Sequence, residues 1–287
     1  MSGTGAILCV GRLYCALVFT GLPAPVTPGR EVFANALSLH AGGGAAITAG
    51  WLASLGARAE LCAHWPAPPF RDPVAAELDA ANVGTALCAP ATGPEPQITV
   101  AVAHGDDRAF LTRAPGPPAP RLSAEDLARS HIRHVHVGEL RTLLDRPDLI
   151  DAARRAGATV SSDCGWDDDI GVEAGDVLRA VDVFLPNADE AERLTSLGVG
   201  GAPLTVVKRG ADGAEAWGPS GRIATRPAPA VAVVDATGAG DAFAAGFLSR
   251  WVAGAEIGAA LEAGVTCGSR AVTRAGGLGA LAQGAAA

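Results

Sequence analysis

Residues 235–243 read Asp-Ala-Thr-Gly-Ala-Gly-Asp-Ala-Phe. The apolar run Val231-Ala232-Val233-Val234 precedes them, and Ala244, Phe247, Leu248 and Trp251 follow at helical spacing. The pattern predicts a strand, a tight turn and a helix, with small residues leaving backbone N–H groups exposed at the helix N-terminus. Such a terminus binds anions. Asp241 sits inside it, where the helix dipole tolerates a carboxylate and where that carboxylate can take a proton from a hydroxyl held beside a phosphate. Phosphoryl transfer to an alcohol is the chemistry these residue types allow. A turn capped by aspartate is the plain structural alternative.

Further segments carry residues of the same kind. Pro186-Asn187-Ala188-Asp189-Glu190 opens a predicted helix, and Asn187 and Glu190 have the spacing of a capping box. In Val206-Val207-Lys208-Arg209-Gly210-Ala211-Asp212-Gly213, Lys208 and Gly210 lie at a strand end, where open α/β sheets bind ligands; a hairpin turn explains the glycines equally. Gly42-Gly43-Gly44 leads into a helix bearing Ile47, Trp51, Leu52 and Leu55, with Gly56 as its stop. Glu139 follows His134-Val135-His136-Val137-Gly138, and Asp163 ends the run Thr159–Ser162. His134 and His136 alternate on one strand face without supporting ligands, so they and His131 are read as structural. Neither a P-loop pattern nor a G-x-G-x-x-G fingerprint occurs, so a nucleotide must be held in another way.

The elements that must position these residues alternate. Strands are predicted at Ala6–Val10, Glu60–Ala63, Ile98–Ala103, His134–Val137, Thr159–Ser162, Val183–Leu185 and Leu204–Val207. Helices are predicted near Pro73–Ala81, Arg146–Ala156, Glu173–Ala180, Ala188–Leu197, Ala239–Val252 and Ile257–Thr273, which implies a mostly parallel sheet covered on both faces. Leu13–Ala34 and the hairpin pattern around Gly105-Asp106-Asp107 break the rhythm and point to a separate small sheet. A second hairpin is expected at Gly210–Gly213, a solvated loop at Asp167-Asp168-Asp169, and a fraying tail from Gly276. The formal charge of −8 and the lack of a basic run disfavour a nucleic-acid surface. Six cysteines without a Cys-x-x-Cys pair read as reduced thiols. With no basic leader, and with glycines and polar residues interrupting the uncharged stretch Val32–Ala57, neither a signal peptide nor a membrane span is expected, which points to a cytoplasmic protein.

Taken in order, these segments resemble the ribokinase/PfkB family of carbohydrate kinases over nearly the whole chain. The resemblance implies a ribokinase-like three-layer α/β sandwich with a β-sheet lid: residues 1–12, 35–96 and 114–287 as the core, 13–34 and 97–113 as the lid. It implies Asp241 as the base, with Gly238, Ala239 and Gly240 as the anion hole. Asn187, Glu190, Lys208, Gly210 and Gly213 would serve ATP and, for the first two, indirectly held Mg²⁺. Asp163 resembles a family aspartate near the metal and phosphate. Gly42, Gly43, Glu139 and Tyr14 would face the substrate, Asp235 and Thr237 a monovalent cation such as K⁺, and the lid a second copy of the chain in a homodimer. The family's sugar-reading Asn and Asp are replaced here by Tyr14 and Ala16, and Ile47 stands where an Asn commonly follows the glycine pair. The reaction expected is therefore ATP-dependent phosphorylation of a sugar or sugar-like hydroxyl. A nucleoside kinase of the same superfamily, a relative that binds without turnover and a dinucleotide-dependent oxidoreductase are the alternatives.

Overall fold

The computed structural model describes residues 5–104, 107–274, 276–278 and 281. The chain runs through β1 (Ala6–Val10), β2 (Tyr14–Thr20), β3 (Ala36–Gly42), α1 (Gly44–Ser54), β4 (Ala59–Cys62), α2 (Arg71–Ala80), β5 (Ile98–His104), β6 (Asp107–Arg113), α3 (Ala124–Arg129), β7 (Ile132–Val137), α4 (Leu140–Asp145) and α5 (Asp148–Arg155). It continues through β8 (Thr159–Asp163), α6 (Ala174–Ala180), β9 (Val183–Leu185), α7 (Ala188–Ser196), β10 (Leu204–Lys208), β11 (Ala214–Gly218), β12 (Gly221–Arg226), α8 (Ala239–Trp251) and α9 (Ile257–Ala271).

The large sheet has the order β12-β11-β10-β9-β8-β7-β1-β4. Its strands from β4 to β10 are parallel, and β11 and β12 extend it antiparallel through the expected turn at 210–213. Every residue of β1 is buried, because helices cover both faces. On one side Leu8, Val135 and Val160 pack with Leu127, Leu149 and Leu178 of α3, α5 and α6. On the other, Ile7 and Cys9 meet α1 and α8. Ala45 through Leu52 of α1 are all buried, as befits a helix enclosed on every side rather than one with a single apolar stripe.

The smaller sheet has the order β3-β2-β5-β6. Residues 36–42, expected in the core, belong to it: β3 pairs with β2 from Tyr14↔Gly42 to Thr20↔Ala36. Their uncharged run leading into a helix concealed a strand whose partner lies before it in the chain. The β5–β6 hairpin forms as expected, although Gly105 and Asp106 at its tip lie outside the described residues. Glu77 of α2 ties β3 to the core, accepting from the His40 Nδ1 at 3.1 Å and from the Ala41 N–H.

Four further expectations are corrected. Val231–Val234 forms no strand; Val233 and Val234 are exposed, and the run's backbone is held by the Val272 carbonyl, which accepts from Val234 N–H at 2.7 Å. The helix expected at 146–156 begins at Asp148, since Pro147 lacks the N–H that a continuous helix from α4 would need. Asp167 is no free solvated charge: it pairs with Arg141 at 2.7 Å. In the tail, Leu278 is buried against Gly50 of α1, where a Cβ would overlap its side chain. All six cysteines are free. His134 and His136 are core residues sharing the Ser161 hydroxyl, at 2.7 and 2.9 Å, and burial holds their pKa values down to about 3 and about 4.

Candidate active site

The C-terminal ends of the parallel strands converge on one cleft, the usual ligand position in such sheets. Gly11 follows β1, Gly138 and Glu139 follow β7, Asp163 ends β8 and Lys208 ends β10. Two of these glycines are required by close approach. A Cβ on Gly138 would lie 2.5 Å from the Ala45 nitrogen, and one on Gly11 would lie 2.9 Å from Glu139 Oε2.

The start of α8 enters this cleft. Gly238 caps it in the left-handed region, at φ 75°, where other residues are strained. The N–H groups of Gly238, Gly240 and Asp241 have no partner among the described residues, whereas Ala239, expected as an anion-hole donor, donates to the Ala236 carbonyl at 3.2 Å. The N–H groups left open at this helix start are thus those of Gly238, Gly240 and Asp241. The Asp241 carboxylate is half-buried, with Oδ1 2.9 Å from where a Cβ on Gly44 would lie. Burial, then Asp163, raises its pKa to about 8; Glu139 and Glu190 add to the rise and Lys208 opposes it. It is a carboxylate poised to hold a proton near neutrality.

Around it stand the other predicted residues. Asn187 Oδ1 accepts from the Glu190 N–H at 2.9 Å and Glu190 Oε2 from the Asn187 N–H at 2.7 Å, a reciprocal cap that starts α7. Burial, then Asp163, raises the Glu190 pKa. The Lys208 N–H binds the Pro186 carbonyl at 2.9 Å, so β10 and the Asn187 turn are fixed together. Lys208 Nζ reaches both oxygens of Asp163, an ion pair that the order of residues along the chain did not reveal. Opposite charges at the ends of two strands in one parallel sheet were the available signal.

A cavity of about 630 Å³ opens beside this group, lined by Lys208, Gly210, Gly213 and Gly240, by Phe243 of α8, and by Val231 and Val233. The apolar run mistaken for a strand serves as its wall. At Gly213 a Cβ would lie 2.0 Å from the Arg226 carbonyl oxygen, so β12 passes too close for a side chain. Asp235 accepts from Thr237 N–H at 2.6 Å and from Gly276 N–H at 2.7 Å, clamping the turn before α8.

The residues expected to face the substrate, Tyr14, Gly42, Gly43 and Glu139, lie at the junction of the core and the small sheet. The Tyr14 ring lies 3.4 Å from a Cβ placed on Gly43, and its hydroxyl pKa is raised by burial and by Glu139. Glu139 accepts from Thr142 Oγ1 at 2.8 Å, and burial pushes its pKa to about 7 against that hydrogen bond and one from the Arg12 N–H. Arg12, which the residue pattern did not single out, binds the Gly116 carbonyl at 3.0 Å and Gln97 Oε1 at 3.4 Å, and so braces the two connections that flank the β5–β6 hairpin.

The profile of pfkB family carbohydrate kinases matches residues 7–282. The ATP-dependent ribose-1-phosphate kinase of Halopiger xanaduensis is 37% identical over 171 residues, 54% of this chain and 54% of that protein. The fructoselysine 6-kinase of Shigella flexneri is 32% identical over 173 residues, 59% of this chain and 66% of that protein. The alignments thus span between about half and two thirds of these relatives' length. Among solved structures, the nucleoside kinase of Methanocaldococcus jannaschii superposes with a TM-score of 0.78 at 21% identity, covering 96% of this chain and 93% of the other. The ribokinase of Arabidopsis thaliana complexed with ribose and ATP gives 0.78 at 19% identity, covering 96% and 95%. At such identities the likeness is one of fold, a ribokinase-like α/β sandwich. With the profile running through all the elements that build the cleft, the chain belongs to the pfkB family of carbohydrate kinases.

Proposed function

We propose that the protein transfers the γ-phosphoryl group of ATP to a hydroxyl of a sugar or sugar-like small molecule, with Asp241 as general base. The observation that carries this reading is a half-buried carboxylate of raised pKa within a helix N-terminus whose N–H groups have no partner among the described residues, beside a cavity large enough for a nucleotide. The acceptor oxygen bonds to the γ-phosphorus as the bond to the ADP oxygen breaks, and its proton passes to Asp241. The amides of Gly238, Gly240 and Asp241 offset charge on the phosphoryl oxygens. ATP occupies the cavity walled by Val231, Val233 and Phe243.

Magnesium fits the residues present. Among the described residues no three His, Cys, Asp or Glu side chains come together to hold a metal ion directly, but Glu139, Asp163, Glu190 and Asp241 make the cleft acidic, and this ion keeps several waters and binds through phosphates and one or two carboxylates. Asn187 and Glu190 would hold it indirectly, and the ion would neutralise phosphate charge. On the acceptor side, Tyr14 presents a ring where hydrogen-bonding side chains are usual, which favours a nucleoside as the second reading. The small sheet excludes water from the acceptor, and its exposed Leu37, Leu39, Phe110 and Leu111 suit pairing with a second copy, checked by light scattering. Potassium activation belongs to the same reading, since Asp235 and Thr237 hold the turn into α8; turnover titrated with K⁺ tests it.

The reading is tested by ADP release with ribose, ribose 1-phosphate, fructoselysine and nucleosides, followed by mass spectrometry of the product. Acceptor-dependent ADP release that is lost in a folded Asp241→Asn supports it. Nucleotide binding without turnover on any acceptor assigns a binding role instead.

A further inference from the structure

Lys208 Nζ is the one ammonium buried among the cleft carboxylates of the described residues. It donates to Asp163 Oδ1 at 2.7 Å and to Oδ2 at 2.6 Å. An ammonium carries three N–H donors, so one is left over. The same atom lies 3.2 Å from where a Cβ on Gly240 would be, next to a residue whose own N–H has no partner among the described residues. Lys208 and Gly240 both line the cavity, so the ammonium stands where the cavity meets the start of α8.

Asp163 is fixed in turn. Its Oδ1 also accepts from the Cys164 N–H at 2.7 Å, and its side chain is 8% exposed. Burial by itself lowers a lysine pKa, but Asp163, followed by Glu190 and Asp241, holds that of Lys208 above its ordinary value. Without a carboxylate seat, a four-carbon stem in this place would be free to swing or to lose its charge.

We propose that Asp163 is a positioning residue: it seats Lys208 so that the remaining N–H joins the Gly238, Gly240 and Asp241 amides as a donor to the terminal phosphoryl group of ATP. The proposal rests on the kinase reading above and assigns Asp163 a task other than direct service to a metal. Gly240 is part of the device, since a Cβ there would crowd the ammonium at 3.2 Å. A donor fixed before the reaction costs no reorganisation as charge builds on the phosphoryl oxygens.

The test is calorimetric binding of Mg·AMP-PNP and Mg·ADP to the full chain, comparing wild type, Asp163→Asn, Lys208→Met and the double variant. AMP-PNP carries the terminal group and ADP lacks it. Each single substitution is expected to weaken AMP-PNP by about tenfold more than ADP, the scale of one charge-assisted hydrogen bond. Asp163→Asn should then cost less than about twofold further in the Lys208→Met background, because coupled residues are not additive. Equal weakening of both nucleotides, or additive losses, overturns the proposal. A raised Mg²⁺ requirement in Asp163→Asn that persists without Lys208 overturns it too, as the mark of a metal ligand. If Lys208→Met does not fold, Lys208→Gln carries the same cycle. Failure of the kinase reading shows separately, as wild-type protein that binds neither nucleotide.

Discussion

The half of the cleft proposed to take the phosphoryl group, its phosphoryl side, and the half proposed to take the acceptor, its acceptor side, differ in how their polar groups are satisfied. On the phosphoryl side, the Asn187–Glu190 cap, the Asp235 clamp and the Lys208–Asp163 pair are closed within the core, each by short bonds. On the acceptor side, Glu139 rests on one hydroxyl and one backbone N–H, Tyr14 reaches in from the small sheet, and Arg12 and Glu77 brace that sheet from the core. One half is organised before ligands arrive; the other depends on a sheet held at its edges. The difference teaches where specificity can change at low cost: altering Tyr14 or Glu139 leaves the closed networks untouched, whereas altering Asn187 or Lys208 opens one.

The sharpest way to break this comparison is Asp241→Asn. Turnover should fall about 10³-fold, the scale of a lost general base, while nucleotide affinity stays near wild type. Retained turnover would place the base on the acceptor side. Gly44→Ala comes next, because its Cβ would lie 2.9 Å from Asp241 Oδ1 and 3.1 Å from the Gly138 carbonyl oxygen, which is backbone and cannot yield. Displacing the carboxylate should lower kcat by about 100-fold, with little change in ADP affinity by calorimetry.

A smaller effect separates the two sides by pH. Glu139 and Asp241, with pKa values raised to about 7 and about 8, add stability at low pH that is lost as pH rises through those values. His134 and His136, held down to about 3 and about 4, add stability at high pH that is lost as pH falls below the ordinary histidine value of 6.5. Melting temperature should therefore rise on going from pH 8.5 to pH 6.5 and level off below, as the two pairs oppose each other. Asp241→Asn should flatten the upper limb by up to about 1.4 kcal/mol per pH unit. The smallest effect is expected from Glu77→Ala, which frees β3. Acceptor KM should rise about fivefold, the scale of a net hydrogen bond, with AMP-PNP binding unchanged.

Much of this was legible in the sequence because the phosphoryl side is written in contiguous segments. Turn, helix start and acidic residue fall together at 235–243, and the cap at 187–190 is a local spacing rule. The parallel sheet followed from alternating apolar runs. What escaped was non-local. Val231–Val234 has the composition of a strand, yet β12 is the edge of the large sheet beside β11, and the run walls a cavity instead. β3 was hidden because its pairing depends on β2 across a long loop. Ala239 looked like its neighbours, and only the backbone path showed its N–H spent on Ala236.

By itself, then, the order of residues pointed to the proposed reaction class: small residues at a helix start with one acidic side chain among them mark a candidate anion site and a candidate base, since both act over a single turn. The tertiary structure decided which groups surround that base. Asp163 and Lys208 meet only when β8, β9 and β10 lie side by side, and Glu139 and Tyr14 meet only when the small sheet folds over the cleft. Burial and charge at such contacts, more than residue type, set what a carboxylate can do.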